Sequence, residues 1–162
     1  MESLFFNLLQ ILTALHEKLA AMLRATEKHN AALRNNDIAA IQQAVKELDS
    51  ISAQAKFLDK KREEIQRALE AKLHLPAGAT LSETLVYAPA QAAQDLNKIA
   101  QSLRETTEAI NQMVQINKIL ARQALQFNDI LIKVLQPGQA TYNPGGQTSV
   151  AKETVSLINR TV

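Results

Sequence analysis

The chain has 162 residues, with 18 Lys and Arg against 16 Asp and Glu, and a formal net charge of +2. This size fits one domain, and so small a basic excess gives no reason to expect nucleic acid as a partner. Only 4% of the residues are aromatic and none is Cys, so the core must consist mostly of Leu, Ile and Ala, without disulfides or a thiolate metal site. Gly and Pro are confined to two short zones and the tail, which leaves too few turn signals for a sheet.

The first predicted helix runs from about residue 3 to residue 33. Leu and Ile recur along it at the three- and four-residue spacing of a helix that is buried on one side. Ser3 suits the N-cap, and Asn35-Asn36 suits the end because Asn tolerates the left-handed conformation. The segment Met1 to Leu15 is apolar enough to resemble a signal peptide, but it lacks a basic start and is amphipathic. We therefore interpret it as helix, and we expect no stable membrane insertion.

The second predicted helix covers residues 37–74, with Asn36 or Asp37 as its cap. Because the connection is so short, this helix should lie antiparallel to the first. Between Lys56 and Lys72 it carries a dense run of charges, which is either a solvated face or a specific basic docking patch. We do not expect nucleic acid there, since such a site would require three cations to act together. These cations are Lys60, Lys61 and Arg62.

The segment that follows contains Pro76 and Gly78, which end the second helix. A short helical turn is predicted at residues 80–89. Four of its apolar side chains should lie under the closed end of the bundle: Leu81, Leu85, Val86 and Tyr87. The third helix is predicted at residues 90–136. Residues 137–162 predict a flexible tail, with turn and loop at 141–147 and a short amphipathic helix at 151–160. Our hypothesis for residues 150–162 is that they act as a weak internal competitor for the partner-binding groove.

The third helix organises the chain. Twelve positions from Leu96 to Val134 keep a heptad spacing, and ten of them are apolar. At 1.5 Å per residue this helix is roughly 70 Å long, against about 46 and 57 Å for the first two, so its second half should extend beyond their cover. That half also carries apolar residues outside the heptad seam, which are Ile116, Ile119, Leu125, Ile130, Ile132 and Leu135. Such a surface suits a partner helix, or a second copy of the chain in a homodimer through the third helix. The predicted fold is an all-α, antiparallel three-helix bundle of coiled-coil type over residues 1–136.

No catalytic, metal or cofactor site can be assembled from this sequence. There is no glycine-rich phosphate loop, and the three histidines (His16, His29 and His74) lie too far apart along the predicted helices for metal-ligand spacing. Paired carboxylates such as Glu63-Glu64 point to different parts of a helix surface and have no pocket to shift their pKa values. We therefore predict that the protein is not an enzyme.

Asn117 occupies an a position of an otherwise apolar seam. A buried amide in such a place costs stability unless its hydrogen bonds are made, but it can define the register between helices. The alternative is that Asn117 bonds to a partner helix that enters beside Ile116 and Leu120. Both interpretations are open at the level of sequence.

Besides the three-helix pattern, two features of the chain resemble the FlgN family of flagellar export chaperones. One is the Asn117-x-x-Leu120 step that leads through Ala124-Leu125 and Phe127 to Leu131. The other is the Thr141-Tyr142-x-Pro144-Gly145 element that follows the three helices. The resemblance implies a cytoplasmic protein that binds the C-terminal helices of hook-associated (filament-junction) proteins. It also implies that the protein prevents their premature assembly and delivers them to components of the type III export apparatus. In that family the substrate-binding region lies toward the C-terminus, which here corresponds to Asn117, Leu120, Leu125, Phe127, Leu131 and Tyr142.

The predicted partner-binding site consists of these six residues together with Ile116, which lies on the uncovered helix surface. A different class of function uses the same surface for self-association. In that case the chain would be a structural coiled-coil protein, or an adaptor with no role in export. Its oligomeric state in a dilution series would then separate the two classes.

Overall fold

The computed structural model describes residues 2–135, 140–142 and 148–150. It contains four helices and two short strands in these ranges: α1 (Glu2–Arg34), α2 (Ile38–Leu73), α3 (Leu81–Leu85), α4 (Ala90–Leu135), β1 (Ala140–Tyr142) and β2 (Thr148–Val150). Each end of the three long helices lies within one residue of the bound expected from the sequence. The chain divides into two compact units, Met1–Ala121 and Arg122–Val162, with α4 belonging to both.

A three-residue polar turn, residues 35–37, joins α1 to α2. Asn36 is left-handed, with φ of 51°, and Asp37 is the N-cap of α2, where its side chain accepts a hydrogen bond from the Ala40 backbone N–H at 3.0 Å. An ion pair of 3.0 Å between Lys28 and Glu47 joins the two helices near this turn. The predicted antiparallel hairpin is therefore confirmed, and Asn does supply the left-handed residue that ends α1.

The apolar core lies at the end of the bundle opposite this turn. The core joins four elements: α1 near its start, α2 near its end, α3, and α4 near its start. Its buried residues are Phe5, Leu8, Leu12, Leu69, Leu73, Leu85 and Leu96. Toward the turn, the fully buried apolar side chains of α1 and α2 are small, namely Ala25, Ala32, Ala44 and Ala55. The large aliphatic side chains thus concentrate at one end, and alanines let α1 and α2 approach closely at the other.

Contacts between α1 and α4 establish the direction of the third long helix. Leu96 shares the core with Phe5, the His16 ring lies 3.3 Å from the Thr106 hydroxyl, and Asn30 bonds to Asn117 at 2.7 Å. Residue numbers rise together along the two helices, so α4 runs parallel to α1 and antiparallel to α2. This arrangement confirms the predicted three-helix bundle.

Buried polar side chains secure the connection from α2 to α3. The Gln66 amide donates to the Ala79 carbonyl at 3.0 Å and to the Thr84 hydroxyl at 3.1 Å, while the Glu70 carboxylate accepts from the Gly78 N–H at 3.2 Å. Gly78 has φ of 82°, a conformation that residues with a Cβ rarely adopt. The side chains of α2 thus bond the loop directly, which the sequence pattern did not indicate.

The prediction for the residues after Thr80 is only partly correct. Leu85 is buried and Leu81 packs against the core, as expected. Val86 and Tyr87 are exposed, so their predicted place under the closed end is wrong. The reason is local: α3 ends at Leu85, and the two residues that follow begin the turn into α4 on the solvent side.

Thr80 and Glu83 form a reciprocal cap at the start of α3. The Thr80 hydroxyl accepts from the Glu83 N–H at 3.3 Å, and the Glu83 carboxylate accepts from the Thr80 N–H at 2.7 Å and from the Thr80 hydroxyl at 2.8 Å. The backbone bond, followed by the side-chain bond, holds the pKa of Glu83 below its ordinary value.

The pKa of Glu83 predicts a pH-dependent contribution to stability. A carboxylate whose folded-state pKa is lowered stabilises the fold above the unfolded pKa, and this contribution is lost as pH falls through the folded pKa. We expect Glu83→Gln to destabilise the chain at neutral pH, with a difference that shrinks once the pH falls below the ordinary Glu value of about 4.3. Urea unfolding at several pH values measures this difference. If the difference stayed constant with pH, the cap would not depend on the charge of Glu83.

In the second unit, β1 and β2 form an antiparallel pair with Thr141 opposite Ser149 and Tyr142 opposite Thr148. The prediction of turn and loop from residue 141 is therefore wrong for Thr141 and Tyr142, which lie in β1. The sequence does carry a hairpin signal, because strand-forming residues (Thr141-Tyr142 and Thr148-Ser149-Val150) lie on either side of a Pro-Gly-Gly turn sequence. The predicted short helix at 151–160 and its competitor role lie outside the described residues.

Candidate partner-binding surface

The heptad seam of α4 changes from buried to exposed along its length. Leu96, Ile110 and Asn117 are buried, Leu120 and Ala124 are half-buried, and Phe127 is 61% exposed. Because the spacing of the seam does not change, its sequence alone gives no sign of where burial stops. The exposed part of the seam lies in the second unit.

The helical segment of the second unit, residues 122–135, is apolar on several sides at once. Seven of its large apolar side chains are exposed, and we call this set the distal α4 surface: Leu125, Phe127, Ile130, Leu131, Ile132, Val134 and Leu135. Its charged residues are Arg122, Asp129 and Lys133. Large contiguous apolar surfaces of this kind mark interaction sites in soluble proteins.

Three of the sequence-predicted residues belong to this surface. Leu125 and Phe127 are widely exposed, and Leu131 is 39% exposed. Ile116 is exposed and Leu120 is half-buried, and both lie in the first unit, earlier along α4. Tyr142 lies in β1. Val114 and Val134 are exposed residues that the predicted site did not include, although Val134 continues the heptad seam.

Asn117 differs from the other predicted residues because it is only 5% exposed. Its carbonyl accepts from the Asn30 amide at 2.7 Å, and its own amide donates to the Thr26 carbonyl at 3.0 Å and to His29 Nδ1 at 3.3 Å. The side-chain oxygen and nitrogen of Asn117 are thus both bonded within the chain, which favours the register interpretation. A contact between Asn117 and a partner stays a prediction.

The histidines are distributed along the bundle. His16 contacts Thr106, His29 contacts Asn117, and His74 is the left-handed C-cap of α2, with φ of 56°. Within the described residues, no three His, Asp or Glu side chains come together as a metal site. Among the helices that the structure describes, none has the length and apolar character needed to cross a membrane.

Aromatic side chains lie mostly on the surface, which composition did not indicate. Phe5 is in the core, whereas Phe6, Phe57, Tyr87 and Phe127 are each more than half exposed. Aromatic residues are enriched where proteins bind one another, since they offer much contact area for little conformational entropy. The exposed phenylalanines are therefore the first residues to consider as contacts.

The described helices form an all-α bundle with an exposed apolar helix segment, which is the kind of surface used in helix-in-groove recognition. The family model described as FlgN protein matches residues 1–149, and the chain belongs to this family of flagellar export chaperones. No curated protein and no solved structure matches the chain significantly.

Proposed function

We propose that this chain binds the C-terminal amphipathic helix of hook-associated flagellar proteins on the distal α4 surface, and delivers these proteins in the cytoplasm to the type III export apparatus. The observation that carries the proposal is the exposure of seven large apolar side chains on one helical segment. Membership of a flagellar chaperone family supports a flagellar partner. An amphipathic helix is the kind of partner that fits, because its apolar face is complementary to such a surface.

The energetics fit a partner that must be released again. Full burial of one large apolar side chain contributes roughly 1.5–3 kcal/mol, so full burial of about four side chains of the distal α4 surface contributes about 6–12 kcal/mol. Association costs about 4–15 kcal/mol in lost translational and rotational freedom. The surplus is at most about 8 kcal/mol, so we expect a Kd in the micromolar range or weaker rather than a permanent complex.

The charges of the segment favour a particular kind of partner. Arg122 and Lys133 outnumber Asp129, so acidic residues beside the apolar face of the incoming helix would be complementary. Ile116 and Leu120 precede the surface along α4 and extend the proposed contact. Tyr142, in β1, remains a proposed partner contact through the family resemblance.

Covering the terminal helix of a hook-associated protein would also explain how premature assembly is prevented. Terminal helices that pair with neighbouring subunits in a filament need the same apolar face that a chaperone occupies. Binding by the chaperone and assembly are then mutually exclusive, and release at the export apparatus makes the helix available again.

Isothermal titration calorimetry with synthetic C-terminal peptides of the source organism's hook-associated proteins tests the proposal. We expect micromolar binding, a negative heat-capacity change from apolar burial, and no binding of a peptide with the same composition in scrambled order. Equal binding of the scrambled peptide would contradict a specific helix site.

Self-association through α4 is a second candidate function, and the same exposed side chains favour it. A helix that is apolar on several sides is covered by other helices in most proteins, and a second copy offers an identical face. Light scattering over a dilution series measures this directly. A homodimer that the hook-associated peptide dissociates would make self-association a substitute for substrate, whereas a dimer that persists with the peptide bound would make it a separate property.

A further inference from the structure

We propose that α2 carries a second docking site, centred on Phe57 and Lys61, for an acidic amphipathic helix of another protein. This site lies in the first unit and does not depend on the function proposed for α4. It is built from an exposed ring, a group of lysines and a groove between α1 and α2.

The ring of Phe57 is 59% exposed, at the start of the most charged part of α2. The Lys61 ammonium lies 4.5 Å from the centroid of this ring, one helical turn away. An ammonium in this position is attracted by the negative face of the ring, which holds the lysine chain along the helix surface. The pair therefore presents an apolar edge and a positive charge at one ordered place.

Lys61 also lines a groove between α1 and α2. The groove has a volume of about 380 Å³ and is open to solvent, with Asn7, Gln10 and Ile11 on one side and Lys61, Glu64 and Ile65 on the other. Ile11 and Ile65 pack against the apolar core, so the floor of the groove is continuous with it. An apolar side chain from a partner can rest on this floor while the amides at the rim bond to polar groups beside it.

The charges around the groove select an acidic partner. Arg62 is paired with Asp59 at 2.7 Å, and Arg67 is paired with Glu63 at 3.4 Å. Lys56, Lys60 and Lys61 are exposed and have no carboxylate within 4.0 Å among the residues that the structure describes. Within residues 56–67, these three lysines stand against one carboxylate that also lacks an ion-pair partner within 4.0 Å, that of Glu64, which lines the groove.

The same ion pairs argue against nucleic acid on this face. A phosphate-binding site would need Arg62 together with Lys60 and Lys61, but the Arg62 guanidinium is already bonded along its own helix. What the face offers is apolar contact at Phe57, Ile11 and Ile65 beside separated positive charges. That combination matches a helix with large aliphatic residues on one side and Glu or Asp at the flanks.

The test uses the full chain with Phe127→Asp, so that the distal α4 surface does not compete for the probe. The probe is a labelled peptide of about three heptads, with Leu at a and d and with Glu and Ala elsewhere. A peptide with Lys in place of Glu is the charge control. Fluorescence anisotropy at low salt should show tighter binding of the acidic peptide. Phe57→Ala and Lys61→Glu should each weaken that binding about tenfold.

Two matched variants locate the effect. Lys46→Glu makes the same charge reversal at another exposed position of α2, and Tyr87→Ala removes a comparably exposed ring that lies outside α1, α2 and α4. We expect both to leave binding of the acidic peptide within about twofold. Loss of binding with Tyr87→Ala but not with Phe57→Ala would overturn the proposal, as would equal binding of the two peptides or displacement of the acidic peptide by a single-stranded oligonucleotide.

Discussion

Phe127→Asp should weaken binding of a hook-associated C-terminal peptide by about thirtyfold or more, which corresponds to the roughly 2 kcal/mol of an interface hot spot. Phe127 is 61% exposed, so the variant loses little packing in the free protein. In the complex, however, a carboxylate would be buried against the apolar face of the partner without a bonding group. Calorimetry measures the loss of affinity, and thermal unfolding should shift by less than the equivalent of about 0.5 kcal/mol.

Phe6→Asp is the matched control for this variant. Phe6 is 58% exposed, almost the same as Phe127, but it lies near the start of α1. We expect Phe6→Asp to leave the peptide affinity unchanged. Equal losses in the two variants would mean that the peptide recognises exposed apolar surface in general, and unchanged binding in Phe127→Asp would place the site elsewhere. Leu131→Asp should act in the same direction as Phe127→Asp.

Asn117→Leu should lower the free energy of unfolding by about 1–3 kcal/mol. The substitution leaves the Asn30 amide without its acceptor at a position that is only 8% exposed. It also removes the donor to His29. Urea unfolding followed by circular dichroism measures the change, and Lys118→Leu, at the next and exposed residue of α4, is a control that should have little effect.

The double variant Asn30→Leu with Asn117→Leu should recover most of this loss, because replacing both partners of a buried hydrogen bond by apolar groups is close to neutral. The Thr26 carbonyl retains its place in the helical backbone, so it is not left unpaired. A double-mutant cycle gives the interaction between the two amides. A double variant that is less stable than Asn117→Leu would contradict the bond between Asn30 and Asn117 as the main role of these residues.

Local chemistry explains why the helices of this chain are predictable. Asn36 and Asp37 make a turn in which one residue takes the left-handed conformation and the next one caps α2. Heptad spacing makes α4 a helix with an apolar seam, and a three-residue connection makes α1 and α2 neighbours. Each of these properties depends on residues that are close in sequence.

The candidate site shows where this kind of reasoning stops. Apolar residues crowd the second half of α4, and this pattern points to Leu125, Phe127 and Leu131 as partner contacts. The exposure of their side chains agrees with the pattern. Ile110 and Leu131 look alike in sequence, since both are aliphatic residues on the same heptad seam, yet only the first is buried. Burial depends on which other elements lie alongside, and no local pattern contains that information.

Residue patterns alone are thus enough for the set of helices, their hairpin connection, the family and the apolar character of the second half of α4. The fold is needed to satisfy the amide of Asn117 inside the bundle, because Asn30, Thr26 and His29 are 87 to 91 residues away in the chain. The fold also places Val86 and Tyr87 in solvent and Lys61 at a groove between two helices. Helix formation follows from neighbours within a few residues, whereas burial, hydrogen-bond satisfaction and grooves arise from residues that only the folded chain brings together.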